Sequence, residues 1–129
     1  MSKILSSVMI VDDEPDIQAI ARLSLESVGG FSVEACNSGQ EALDRATGIQ
    51  PDLIILDVMM PGLDGPATLR ELKKLPELAK TPIIFMTASV EPHEVQKYKD
   101  MGVLDVIAKP FNPMTLPDIV RSIWEDNHN

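Results

Sequence analysis

The stretch Leu53-Ile54-Ile55-Leu56-Asp57-Val58-Met59-Met60-Pro61-Gly62-Leu63-Asp64-Gly65 changes character at a single residue. Its first four side chains are all branched and aliphatic, and the run is too short for a core helix, so it reads as a strand. A strand that is apolar at every position is covered on both faces, as in a parallel sheet between two layers of helices. The run stops at a carboxylate, Asp57. Turn chemistry follows in Pro61-Gly62 and Asp64-Gly65. Pro66 then suits the first turn of a helix, which buries Leu69, Leu72 and Leu75.

The same alternation extends in both directions. Val8-Met9-Ile10-Val11 is a first strand. Ile17, Ile20, Ala21, Ser24 and Val28 follow at spacings of three and four, the stripe of a helix packed on one face, which Gly29-Gly30 ends. Phe31 to Cys36 is a second strand. Ser38, with Glu41 three residues on, forms a capping box for a helix that buries Ala42, Leu43, Ala46 and Ile49. Beyond the central stretch, Pro82 to Met86 is a fourth strand and Glu91 to Met101 a helix with a thin apolar face, mainly Val95 and Tyr98. Val103 to Ala108 is a fifth strand. A last helix starts near Thr115 with Asp118 as capping partner and buries Leu116, Ile119, Val120, Ile123 and Trp124. The order βαβαβαβαβα predicts an α/β fold, a parallel sheet with right-handed crossovers and helices on both faces: a three-layer sandwich.

Composition agrees. The chain has 129 residues, enough for one domain spanning 1–129, with 44% apolar and 24% charged residues. A net charge of −9 disfavours nucleic acid and anionic membranes as partners and favours a divalent cation. The single cysteine, Cys36, excludes an internal disulfide and reads as a small buried apolar residue. Lys3 gives only a weakly basic start, and the apolar run Val8–Val11 is far shorter than the about 7–15 residues of a signal core or the about 20 of a membrane span. The expected location is the cytoplasm.

Ligands of open parallel sheets bind beyond the carboxyl ends of the strands. There the sequence places Asp12-Asp13, Asp57, Thr87 and Lys109, with Asn37 ending the second strand. Each alone has a bland reading: Asp13 a helix cap, Asp57 a turn, Thr87 a hydroxyl turn, Lys109 a snorkelling side chain. Together those readings fail, because three carboxylates on one edge repel one another unless a cation sits among them. Hard oxygen ligands suit Mg²⁺. Phosphoryl transfer needs this set: a carboxylate nucleophile, positive charge against the phosphoryl oxygens and a donor hydroxyl.

Val11-Asp12-Asp13-Glu14, Leu56-Asp57-Val58-Met59-Met60-Pro61-Gly62-Leu63-Asp64-Gly65, Met86-Thr87-Ala88 and Lys109-Pro110-Phe111 resemble the successive signatures of the receiver domains of two-component response regulators, from about Val8 onward. The resemblance implies a flavodoxin-like fold of strand order 2-1-3-4-5, an order the chemotaxis receiver illustrates. It implies that Asp57 accepts a phosphoryl group from a phosphohistidine of a histidine kinase or phosphotransfer protein. It implies Mg²⁺ on Asp13, Asp57 and the Met59 carbonyl, with Asp12 acting through water. It also implies a cis Lys109–Pro110 bond, Lys109 paired with the acceptor and then the phosphoryl group, and Thr87 as the switch hydroxyl. Output is expected through the fourth helix, fifth strand and fifth helix to a downstream protein, from a monomer or weak dimer that is a switch rather than an enzyme. One position departs from the pattern. Val106 stands where many receivers carry Tyr or Phe.

Three rivals fit less well. A haloacid-dehalogenase-type phosphohydrolase wants a second Asp where Met59 stands, and room for a cap. A pseudo-receiver typically loses an acidic or lysine position, and all are present. A nucleotide-binding protein would carry a glycine-rich phosphate loop after the first strand. His93 reads as solvated, His128 as part of a fraying tail, and Met59-Met60 as loop packing. The tail Glu125 to Asn129 favours a stand-alone receiver over a fragment.

Overall fold

In a computed structural model, which describes residues 4–128, the elements follow the expected alternation. They are β1 (Ser7–Val11), α1 (Pro15–Leu23), a π turn (Ser24–Val28), β2 (Ser32–Cys36), α2 (Gly39–Ile49), β3 (Leu53–Asp57), α3 (Gly65–Lys73), a 3₁₀ turn (Pro76–Leu78), β4 (Ile83–Thr87), α4 (Pro92–Asp100), β5 (Val106–Ala108) and α5 (Leu116–His128). The five strands form one parallel sheet in the order β2-β1-β3-β4-β5. Lys3 and Asn129 lie outside the described residues.

Each inner strand is divided between two cores. Val8, Ile10, Leu53, Ile55, Ile84 and Met86 face one side, where Ala21, Leu25, Val120 and Trp124 close over them from the α1 and α5 side. Met9, Val11, Ile54, Leu56, Ile83 and Phe85 face the other, under Ala42, Ala46, Leu69, Leu72 and Tyr98. Alternation of side chains across a strand forces this division. Truncating one of these aliphatics to alanine costs about 2–5 kcal/mol, so β3, buried at all five positions, is a rigid mount for whatever ends it.

Several elements differ from the sequence reading. The stripe of the first helix is wrong at Ile20 and Val28, which are 43% and 48% exposed, while Leu25 is buried. For Val28 and Leu25 the cause is the π turn. Gly29 N–H donates to Ser24 O, an i→i+5 bond that rotates the following face. Ser24 Oγ donates to Pro113 O, tying this turn to the loop before α5. The capping box of α2 is half formed: Ser38 Oγ accepts from Glu41 N–H at 3.0 Å, but Glu41 reaches the Asn37 N–H instead of that of Ser38. β5 covers only the second half of the expected run, although Leu104 N–H still donates to Ile83 O. Ile119 is exposed rather than buried. Thr115 Oγ1 lies against Asn112 O, 3.4 Å away, so the expected Thr115–Asp118 box is not made. His128 is the last turn of α5, stacked on Trp124 at 3.7 Å, not a fraying tail.

Candidate functional site

The carboxyl ends of β1, β3, β4 and β5 bring Asp12, Asp13, Asp57, Thr87 and Lys109 to one edge of the sheet, as expected. Carboxylate oxygens of Asp12, Asp13 and Asp57 lie within 4.8 Å of one another. Asp12 and Asp57 are buried and Asp13 is half-buried. Lys109 Nζ reaches all the way across. It is 3.4 Å from Asp57 Oδ1, 3.2 Å from Asp12 Oδ2 and 2.9 Å from Glu14 Oε1. The Lys109–Pro110 bond is cis. Thr87 is buried, and its Oγ1 accepts from Ser89 N–H at 3.3 Å, a local hydroxyl turn. Its carbonyl accepts from Lys109 N–H at 2.9 Å, which sets the register of the lysine strand.

Local structure explains this placement. Gly65 N–H donates to Val58 O at 2.8 Å, drawing the start of α3 against the end of β3. A Cβ on Gly65 would stand 2.7 Å from Asp57 O, so only glycine allows that approach. Asp64 caps α3, accepting from Ala67 N–H at 2.9 Å. Glu14 N–H donates to Asp12 Oδ1 at 2.8 Å. Gln18 Nε2 binds Asp12 O, Cys36 O and Asn37 Oδ1 at 2.9–3.1 Å, clamping the ends of β1 and β2 together. Of the pair Met59-Met60, only Met60 packs. Met59 is 77% exposed, which corrects the packing reading for it.

The electrostatics are unbalanced. One ammonium faces four carboxylates, counting Glu14. Two unit charges about 4 Å apart interact by about 4 kcal/mol at an effective dielectric of about 20, so the cluster resists full ionisation. Burial first, and Asp12 second, push the Asp57 carboxyl up to about 6, against the pull of Lys109 and the Met59 N–H. Burial also raises Asp12, with Lys109 and the Glu14 N–H opposing. Burial of Lys109 works against its charge, but its bond to Glu14 and the fields of Asp12 and Asp57 outweigh that and raise it. Asp57 Oδ2 is buried with no hydrogen-bond partner among the described residues. Such a group costs about 1–3 kcal/mol or more. A buried lone acceptor, surplus negative charge and an all-oxygen donor set fit a hard divalent cation.

Residues 8–121 match the response regulator receiver domain. The chain belongs to that family. The receiver is 34% identical over 116 residues to the alkaline phosphatase synthesis transcriptional regulatory protein PhoP of Bacillus subtilis, covering 90% of this chain and 47% of PhoP. It is 34% identical over 120 residues to the signal transduction histidine-protein kinase BarA of Escherichia coli, covering 92% of this chain and 13% of BarA. The receiver thus spans half or less of these relatives. Among solved structures, the chemotaxis response regulator CheY4 of Vibrio cholerae superposes with a TM-score of 0.85 at 31% identity, covering 92% of this chain and 98% of CheY4. No helix among the described residues is long and apolar enough to cross a membrane.

Glu14 and Gln18 are the site residues that sequence reasoning missed. Glu14 was legible as the third acid of Asp12-Asp13-Glu14, but its reach to Lys109 depends on the β1–β5 geometry. Gln18 carried no signal beyond lying one turn after Glu14.

Proposed function

We propose that this receiver is a phosphoacceptor switch in which Asp57 takes a phosphoryl group from the phosphohistidine of a histidine kinase or phosphotransfer protein. The observation that supports this reading is the buried Asp57, with Oδ2 unpartnered, Oδ1 beside the Lys109 ammonium, and two further carboxylates close by. A carboxylate oxygen of Asp57 forms the new P–O bond. The N–P bond of the phosphohistidine breaks, and the imidazole nitrogen leaves with the electron pair. Lys109 offers its positive charge to the phosphoryl oxygens. Asp12, Asp13, Asp57 and the Met59 carbonyl would hold Mg²⁺, Asp12 through water. When bound, Mg²⁺ supplies positive charge against the developing phosphoryl negative charge. Thr87, whose Oγ1 now accepts from Ser89 N–H, turns its hydroxyl to donate to a phosphoryl oxygen and so moves the loop through Val90.

The signal then leaves through α4, β5 and α5. α4 buries only Tyr98 fully, so it is weakly anchored and easily biased. Val106 has a small, stiff side chain to reorient, which leaves most of the coupling to the Thr87 loop. The chain acts on itself alone, without a turnover substrate. Incubation with acetyl phosphate and Mg²⁺ tests the reading. Intact-mass spectra should show one phosphoryl adduct, lost in Asp57→Asn and on chelation. An undiminished adduct in Asp57→Asn places the acceptor elsewhere.

A further inference from the structure

We infer that Glu14 is a positioning residue that holds Lys109 in the resting state and sets a charge barrier at the entrance to Asp57, so that phosphorylation requires the lysine to exchange partners. The inference rests on the phosphoacceptor reading of Asp57 and extends it to regulation of the same site. The shortest ion pair of Lys109 is to Glu14, at 2.9 Å, not to Asp57, at 3.4 Å. An ammonium has three donors; two of them bond Glu14 and Asp12, and Asp57 is held as an ion pair at 3.4 Å. A phosphoryl group brings further negative charge and new acceptor oxygens, so one present partner must yield.

The three partners are not equally able to yield. Asp12 and Asp57 are buried on β-strand ends. The Glu14 side chain is 58% exposed and stands before the first turn of α1. Water can take over its carboxylate at little cost, whereas neither aspartate has that option. Glu14 also lines the cleft of about 310 Å³ that opens onto Asp57, with Ile17, Met59, Ala88 and Pro110 as its other walls beside Lys109. A phosphodonor entering this cleft meets a carboxylate before it meets the lysine. The penalty grows with the negative charge of the donor and shrinks with salt.

Phosphorylation kinetics with two small donors test this. In each, Asp57 oxygen bonds to phosphorus as the P–O bond of acetyl phosphate or the P–N bond of phosphoramidate breaks, and acetate or ammonia leaves with the electron pair. Phosphoramidate carries the lower negative charge near neutral pH. Glu14→Gln should raise the rate constant for acetyl phosphate about two- to fivefold at low salt, the range of one exposed ion pair. The gain should be smaller for phosphoramidate and should fade in high salt. Glu14 makes no side-chain cap to α1, so the variant keeps the helix start. Glu14→Asp retains the charge with a shorter reach and should recover only the salt-dependent part. In metal-free protein, the Lys109 ammonium should exchange its protons faster in Glu14→Gln, seen by NMR. Unchanged rates in Glu14→Gln, or an equal and salt-independent gain with both donors, overturn the inference while phosphorylation of Asp57 stands. Persistence of the adduct in Asp57→Asn instead overturns the reading beneath it.

Discussion

The two ends of β3 carry aspartates in opposite situations. Asp52, just before the strand, is saturated. Its Oδ2 accepts from Ser6 N–H at 3.1 Å, Ser6 Oγ at 3.0 Å and Ser7 N–H at 3.1 Å, and its own N–H donates to Ser7 Oγ at 2.9 Å. Asp57, at the other end of the same five residues, is more deeply buried and has one oxygen with no partner. Asp52 joins β1 to β3 and is architecture. Asp57 is held in a state the fold leaves unfinished. Two residues of one type, placed by one strand, therefore differ in their surroundings because of the hydrogen bonds around them, and the unfinished one is the proposed acceptor.

The largest effect that can break this contrast is pH. In the folded chain Asp57 keeps its proton up to about pH 6, against 3.8 for an ordinary aspartate. Its contribution to stability is complete below about pH 4 and is lost as pH rises through 6, in all about 3 kcal/mol without metal. Asp12, also raised, acts in the same direction. Urea titrations of metal-free protein from pH 4 to 7.5 should show that fall, and Asp57→Asn should remove most of it. A wild-type stability that climbs over this range would contradict the assignment.

Asp52→Ala comes next. It removes three hydrogen bonds to a charged acceptor and should cost about 2 kcal/mol in the same titration, with phosphorylation intact once folded. Asp57→Asn should do the reverse, gaining stability and losing phosphorylation. If both variants destabilise equally, the two aspartates do not differ as described.

Mg²⁺ should act on one end only. At about ten times its dissociation constant it adds about 1.4 kcal/mol by binding the folded state alone. Melting temperature should rise in wild type and in Asp52→Ala, and rise less in Asp13→Asn. A wild-type curve indifferent to Mg²⁺ at low ionic strength removes the cation from the site.

The smallest effect lies beside Asp52. Gln50 ends α2 in the left-handed region at φ 46°, where a side chain is strained. Gln50→Gly should stabilise by about 0.5 kcal/mol, the strain relieved less the added freedom of the unfolded chain. It should leave the pH and Mg²⁺ responses unchanged, as befits the architectural end.

Much of this is legible in the sequence. Leu53–Leu56 reads as a doubly covered strand because every position is apolar, and the strand ends that follow from it collect Asp12, Asp13, Asp57, Thr87 and Lys109. Local chemistry also marked the Ser38 and Asp64 turns and the burial of Cys36. What escaped reading depends on tertiary geometry. The π turn at Ser24–Val28 moves Leu25 inward in place of Val28, and no 3.6-residue period announces it. The bond from Glu14 to Lys109 spans 95 residues, and the three acceptors of Gln18 come from two different strands. The contrast between Asp52 and Asp57 is equally invisible in sequence, since it lies in which neighbours supply N–H and O–H groups.

The most direct measurement is to trap the phosphorylated residue. Receiver treated with acetyl phosphate and Mg²⁺, then reduced with borohydride, converts an aspartyl phosphate to homoserine, which peptide mass spectrometry locates. Homoserine at position 57, and at no other aspartate, is the expected result. Homoserine at position 12, 13 or 52, or its absence from a chain that carries the adduct, would contradict Asp57 as the acceptor.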